Sequence, residues 1–146
     1  MVCLFDVNCL IATVDSDHVH HEPMQRWFSA HAGRGWATCP ITENGLIRVV
    51  SQPAYPSGQR SPAEIIKTLQ QLKNACRESY QFWEDGISLT DESLFRPEYI
   101  IGPRQVTDAY LLGLATKRGG VVLSFDRSLP WQAIRGGTSH LIQTPG

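Results

Sequence analysis

Asp6, Glu43, Asp108 and Asp126 are the residues of this 146-residue chain whose types and settings best suit chemistry. Apolar runs flank three of them: VCLF precedes Asp6, AYLLGLA follows Asp108 and VVLSF precedes Asp126. An acid so placed is expected near the interior, close to a strand's carboxyl end. Burying a carboxylate costs several kcal/mol unless something pairs with it. Two carboxylates ~4 Å apart repel by ~4 kcal/mol at an effective dielectric of ~20. With no basic partner evident, the four are either scattered by the fold or gathered around a hard cation. Mg²⁺ and Mn²⁺ favour such oxygens and keep several waters. Such ions lower the pKa of a bound water and stabilise the attacking and leaving oxygens of an in-line phosphodiester displacement. Water attack with the 3′ oxygen leaving gives 5′-phosphate and 3′-hydroxyl ends.

Each acid also has a local role open to it. Asp6 could cap a following helix, and Asp126 could shape the turn before Arg127. Thr107 and Asp108 could be capping residues, and Glu43 in a first helical turn is favoured by the helix dipole. What distinguishes the four is that the elements around them place each at the same edge of a sheet.

Those elements read as alternating strands and helices. Residues 2–5 form a short buried strand, residues 8–14 a helix, and Pro23 suits the first turn of a helix over 22–31. WATC (36–39) reads as a second strand, followed by a helix over 41–50. SQPAYPSGQRSP is a loop. Ser61-Pro62-Ala63-Glu64 is a capping box that opens a helix predicted to reach about residue 79. A third strand is placed in 81–89, with ISL either its clearest part or the start of the next turn, and residues 90–105 are irregular. A helix over 106–118 stops at Gly119-Gly120, VVLSF (121–125) is the strongest strand, and HLIQ (140–143) is a last edge strand. The alternation predicts one α/β domain over 1–146, with a parallel sheet of four to five strands between helical layers. Ligands of such folds bind beyond the carboxyl ends of the strands, where Asp6 and Asp126 fall.

Composition sets bounds. The length suits one core. No apolar run approaches the ~18 residues of a membrane span. MVCLFDVNCLIA has no basic leader and carries an acid, so a cytoplasmic protein is expected. Cys3, Cys9, Cys39 and Cys76 lack CxxC spacing and read as reduced thiols. The net charge of −1 turns to +3 once four of the 14 acids are assigned to metal. Arg34, Arg48, Arg60, Arg104, Lys117, Arg118, Arg127 and Arg135 are then either a phosphate-binding rim or a solvated surface. His18, His20 and His21 invite a transition-metal reading, but adjacent histidines in a polar loop more often are exposed or pack locally. Of the tryptophans, Trp131 beside Pro130 is the best placed for surface or substrate contact.

The chain resembles the PIN-domain nucleases, and within them the VapC ribonuclease toxins. FDVNCLIA looks like the family's first motif, with Asp6 as its acid and Asn8 where a Ser or Thr is usual. TENGLIRVVSQP is similar to the second, with Glu43; VTDAYLLGLATKRGG to the third, with Asp108; VVLSFDRSL to the fourth, with Asp126 and Ser124. The resemblance spans nearly the whole chain. It implies a three-layer PIN-like fold and a Mg²⁺- or Mn²⁺-dependent endoribonuclease acting on RNA. It also implies a homodimer and a VapB-like antitoxin that occupies the acidic cleft, with no membrane partner. It carries over the four acids as metal and catalytic residues, with Asn8 and Ser124 supporting them. Two other readings stand beside it. A phosphotransfer enzyme with an Asp6 nucleophile would want a second Asp where Asn8 stands, and a later Lys motif. A non-catalytic PIN module would bind RNA or protein without cutting.

Overall fold

Five short parallel strands form the centre of the molecule in the order β3-β2-β1-β4-β5. They are β1 (Cys3–Phe5), β2 (Trp36–Thr38), β3 (Tyr80–Phe82), β4 (Val121–Leu123) and β5 (Ile142–Gln143). Five α-helices accompany them: α1 (Val7–Val14), α2 (His21–His31), α3 (Pro40–Val50), α4 (Pro62–Ala75) and α5 (Val106–Lys117). The computed structural model describes residues 1–146, the side chain of Ala32 aside.

β1, β2 and β4 are buried at every residue, as a sheet covered on both faces requires. One core cluster joins Phe5, Trp27, Trp36, Leu46 and Ile65 beneath α1 to α4. The other joins Leu4, Ala37, Phe95, Leu112 and Val122 beneath α5. From β1 the chain builds outward to β2 and β3, then crosses to add β4 and β5 on the other side. The reversal lies between β1 and β4, and the crevice at such a point is where open α/β sheets bind ligands.

Helix boundaries follow local chemistry. Ser61 and Glu64 complete the capping box of α4. Gly119, with φ 69°, ends α5 in a conformation that costs glycine little. Gly45 lets α3 approach α1, since a Cβ there would lie 2.7 Å from Val7 Cγ2. The Pro- and Ser-rich loop is tied down through buried Asp15, which accepts hydrogen bonds from Tyr55 Oη at 2.5 Å and Ser57 Oγ at 2.7 Å.

Two expectations fail. Helix α4 ends at Ala75, not near 79, because the Ser79 and Tyr80 N–H groups both turn back to the Cys76 carbonyl. That turn frees the Ser79 carbonyl to accept from Trp36 and start β3. The third strand is Tyr80–Phe82, and ISL (87–89) lies outside the sheet. Ile87 and Leu89 alternate like a strand's residues, but they pack on the α5 side of the core. Sequence alternation cannot tell those two destinations apart.

The cysteines are free thiols, three of them buried. Trp131 is half-buried against the second cluster and is less available than expected. No helix is long and apolar enough to cross a membrane.

Candidate active site

Asp6 leaves β1 and becomes the N-cap of α1, its Oδ1 accepting the Cys9 N–H at 2.7 Å. Its own N–H donates to the Leu123 carbonyl at 3.1 Å, carrying the β1–β4 ladder one residue past the strands. The side chain is 7% exposed. Burial raises its proton affinity; hydrogen bonds from Ser124 and Cys9 oppose this, and the charge of Asp126 adds to it. Ser124 is fully buried, and its Oγ also accepts the Asp126 N–H at 3.0 Å. One hydroxyl thus links the first and fourth acids.

Asp126 is exposed and turned toward its own loop, where Oδ1 accepts from Ser128 N–H at 2.8 Å and Ser128 Oγ at 2.6 Å. Asp108, in the first turn of α5, is half-buried. Its carboxyl is pushed up to about 6 by burial first, then by the charges of Asp6 and Asp126. Asp108 receives no hydrogen bond among the described residues, so the N-terminal dipole of α5 alone answers its charge there. The three aspartates therefore share one electrostatic neighbourhood at the switch point between β1 and β4.

Glu43 stands apart. It lies at the same sheet edge, in the first turn of α3, but its Oε2 is held by Thr38 Oγ1 at 2.5 Å and Tyr80 Oη at 3.3 Å. Lys73 Nζ pairs with the same oxygen at 2.6 Å. Lys73 in turn lies over the rings of Tyr80 and Phe82, 5.2 and 5.4 Å from their centroids. Burial pulls the Lys73 proton affinity down, but the bonds to Glu43 and Tyr80 outweigh it and hold the ammonium charged. The sequence suggested that none of the four acids had a basic partner; Glu43 has one. No signal local to either residue reveals the pair, because it forms only where α4 crosses α3.

This is the one ion pair among the described residues. The three aspartates have no Lys or Arg partner, and the eight candidate rim bases make no salt bridge there either. Among the described residues, no three Asp, Glu, His or Cys side chains stand grouped closely enough to form a ready metal cage. Asp6 is engaged by α1 and Asp126 by Ser128, and the charges of both are felt at Asp108. The donor set nevertheless suits a hard cation, because it consists of carboxylates with uncompensated charge and one of them has no donor.

The supporting residues divide. Ser124 is buried with its Oγ accepting the Asp126 N–H. Asn8 is exposed and its side chain makes no hydrogen bond among the described residues. The histidines pack locally, with His21 Nδ1–H donating to the Ala12 carbonyl at 2.7 Å and His18 Nδ1 accepting the His20 N–H at 3.1 Å. The acids line an open edge. A cleft of about 640 Å³ beside Arg77 and Glu78 lies near the start of β3 instead.

Comparison with known proteins places the chain in a family. No protein-family model matches the chain. Ribonuclease VapC44 of Mycobacterium tuberculosis is 40% identical over 145 residues, covering 99% of both chains. Ribonuclease VapC38 of the same organism is 39% identical over 125 residues, 86% of this chain and 85% of the relative. A chain in the crystal structure of VapBC2 from Rickettsia felis, bound to a DNA fragment from their promoter, superposes with a TM-score of 0.66 over 99% of this chain and 98% of that one. Its 12% identity speaks to the fold alone. The chain belongs to the VapC ribonucleases.

Proposed function

We propose that this chain is the endoribonuclease toxin of a toxin–antitoxin pair, with Asp6, Asp108 and Asp126 as the acids that hold Mg²⁺ or Mn²⁺. The observation that carries the reading is Asp108. It is a half-buried carboxylate with no hydrogen-bond donor among the described residues, and two further aspartates raise its proton affinity. A fold keeps such a group at a cost to itself, and groups of this kind cluster at functional sites. A bound divalent ion would lower the pKa of a coordinated water and offset the charge of the phosphodiester.

The chain's own residues do the positioning. Cys9 and Ser124 fix the Asp6 carboxylate, and Ser128 fixes one oxygen of Asp126. Glu43 is the accessory acid: with its charge met by Lys73, it joins the set only by exchanging that ammonium for the ion. The exposed Arg127 follows Asp126 directly in the chain. The proposed partners are an RNA substrate, a VapB-like antitoxin over the acidic edge and a second copy of the chain. The relatives' names support the RNA substrate and the VapBC2 assembly supports the antitoxin; the second copy is what the family resemblance implies. An Asp6 nucleophile is disfavoured by geometry, since Asp6 is buried and capped through Oδ1.

The test is cleavage of total RNA by antitoxin-free protein, with Mg²⁺ or Mn²⁺ against EDTA and with product ends mapped. We expect metal-dependent cuts leaving 5′-phosphate and 3′-hydroxyl ends. Asp108→Asn and Asp6→Asn should lower the rate by at least about a hundredfold with the fold retained. A variant cutting at the parent rate would remove its residue from the site. Metal binding without cleavage of any RNA would favour a non-catalytic module.

A further inference from the structure

His20 and Phe125 form an aromatic stack beside the acids that nothing above employs. Their ring centroids are 4.2 Å apart and the planes differ by 17°. Phe125 stands in the chain between Ser124 and Asp126, so its Cα lies ~3.8 Å from that of a site acid. Cys9 of α1, whose N–H holds Asp6, belongs to the core cluster against which the Phe125 ring packs.

His20 is fixed equally well. Its carbonyl accepts the N–H of fully buried Met24 at 3.1 Å as α2 begins, and the neighbouring His21 is anchored on Ala12. Yet the His20 side chain is exposed, and its ring nitrogens have no hydrogen-bond partner among the described residues. One ring face lies against Phe125, and the His18 ring stands tilted 42° at 5.8 Å. An exposed ring stacked on the residue that precedes a site acid has the form of a base-stacking platform. Unpaired RNA bases stack on such rings irrespective of sequence.

We propose that the His20–Phe125 stack is a subsite that seats an unpaired nucleobase next to the phosphodiester on which the proposed metal-bearing acids would act. This rests on the ribonuclease reading above. The probe is a single-stranded RNA of about 12 nucleotides spanning a mapped cut, intact or with one abasic ribose on either side of it. With the wild-type protein, an abasic ribose on one side should raise KM about tenfold. His20→Ala should raise KM for intact RNA by a similar factor and add little on the abasic strand. His20→Phe should behave as wild type, because stacking needs a ring and no particular polar atom. The subsite is overturned if wild type is indifferent to abasic sites on both sides, a result that needs no variant. It is equally overturned if His20→Ala keeps the wild-type KM, or if its abasic penalty is as large as the parent's. Wild type failing to cut any RNA with divalent ions is the separate failure of the ribonuclease reading, and the subsite falls with it.

Discussion

Asp108 shows how one carboxylate can be costly to the fold and valuable to the site. Burial and two like charges raise its proton affinity, so the folded state binds its proton more tightly than the unfolded chain does. The sign follows. Its contribution is most favourable below about pH 4 and is lost as pH rises toward the folded value of about 6. Asp108→Asn removes the charge, so it should melt higher than the parent at pH 7.5. Allowing for solvent screening, the gain should be about 1–2 kcal/mol, or about 3–7 °C. The difference should shrink toward pH 4 and stay flat above pH 7. A melting series at four or five pH values checks this, and a variant less stable than the parent at pH 7.5 would show that the carboxylate supports the fold. The same residue shows what a sequence can reveal. An acid that ends or borders an apolar run has few places to go, so Asp6, Asp108 and Asp126 were legible. The answer to Glu43's charge was not, because Lys73 and Tyr80 reach it only through the crossing of α4, α3 and β3.

At the scale of elements, caps and glycines were readable and the ends of strands were not. Ser61 and Glu64 announce α4 because their hydrogen bonds are local. β3 was misplaced because Tyr80–Phe82 carries a half-exposed edge pattern, whereas Ile87 and Leu89 look apolar for the sake of α5. The contact that sets the site's frame is also long-range: α1, which Asp6 caps, presses Val7 against Gly45 of α3, two residues after Glu43. A methyl at Gly45 would meet Val7 Cγ2 at 2.7 Å and Cγ1 at 3.2 Å. Both helices are anchored in the core through Leu10 and Leu46, so neither can yield freely. Gly45→Ala should therefore cost about 1–3 kcal/mol, and Gly45→Ala with Val7→Ala should recover at least about half of the lost melting temperature. A neutral Gly45→Ala would mean that the helices can separate without loss, and that α3 does not depend on this contact to present Glu43.

Across the whole molecule, topology and charge converge on one edge. The sheet reverses direction of growth between β1 and β4, the kind of switch point at which open α/β sheets bind ligands. Three aspartates come to that open edge from β1, α5 and the end of β4, with no base among the described residues to pair with them. The fold is thus left with local negative charge that a divalent cation can relieve. Binding to the native state alone stabilises it by about 2.7 kcal/mol when the ion is at about a hundred times its Kd. That exceeds the gain expected from neutralising Asp108 outright. The melting temperatures should therefore cross: without metal Asp108→Asn is the more stable protein, and with saturating Mn²⁺ the parent overtakes it. Asp6→Asn should also lose most of the Mn²⁺-induced shift. Titrating Mn²⁺ against melting temperature for the three proteins, with EDTA to reverse it, reads the linkage without any RNA present. Parallel curves at all Mn²⁺ concentrations would mean that the aspartates share their repulsion without sharing an ion.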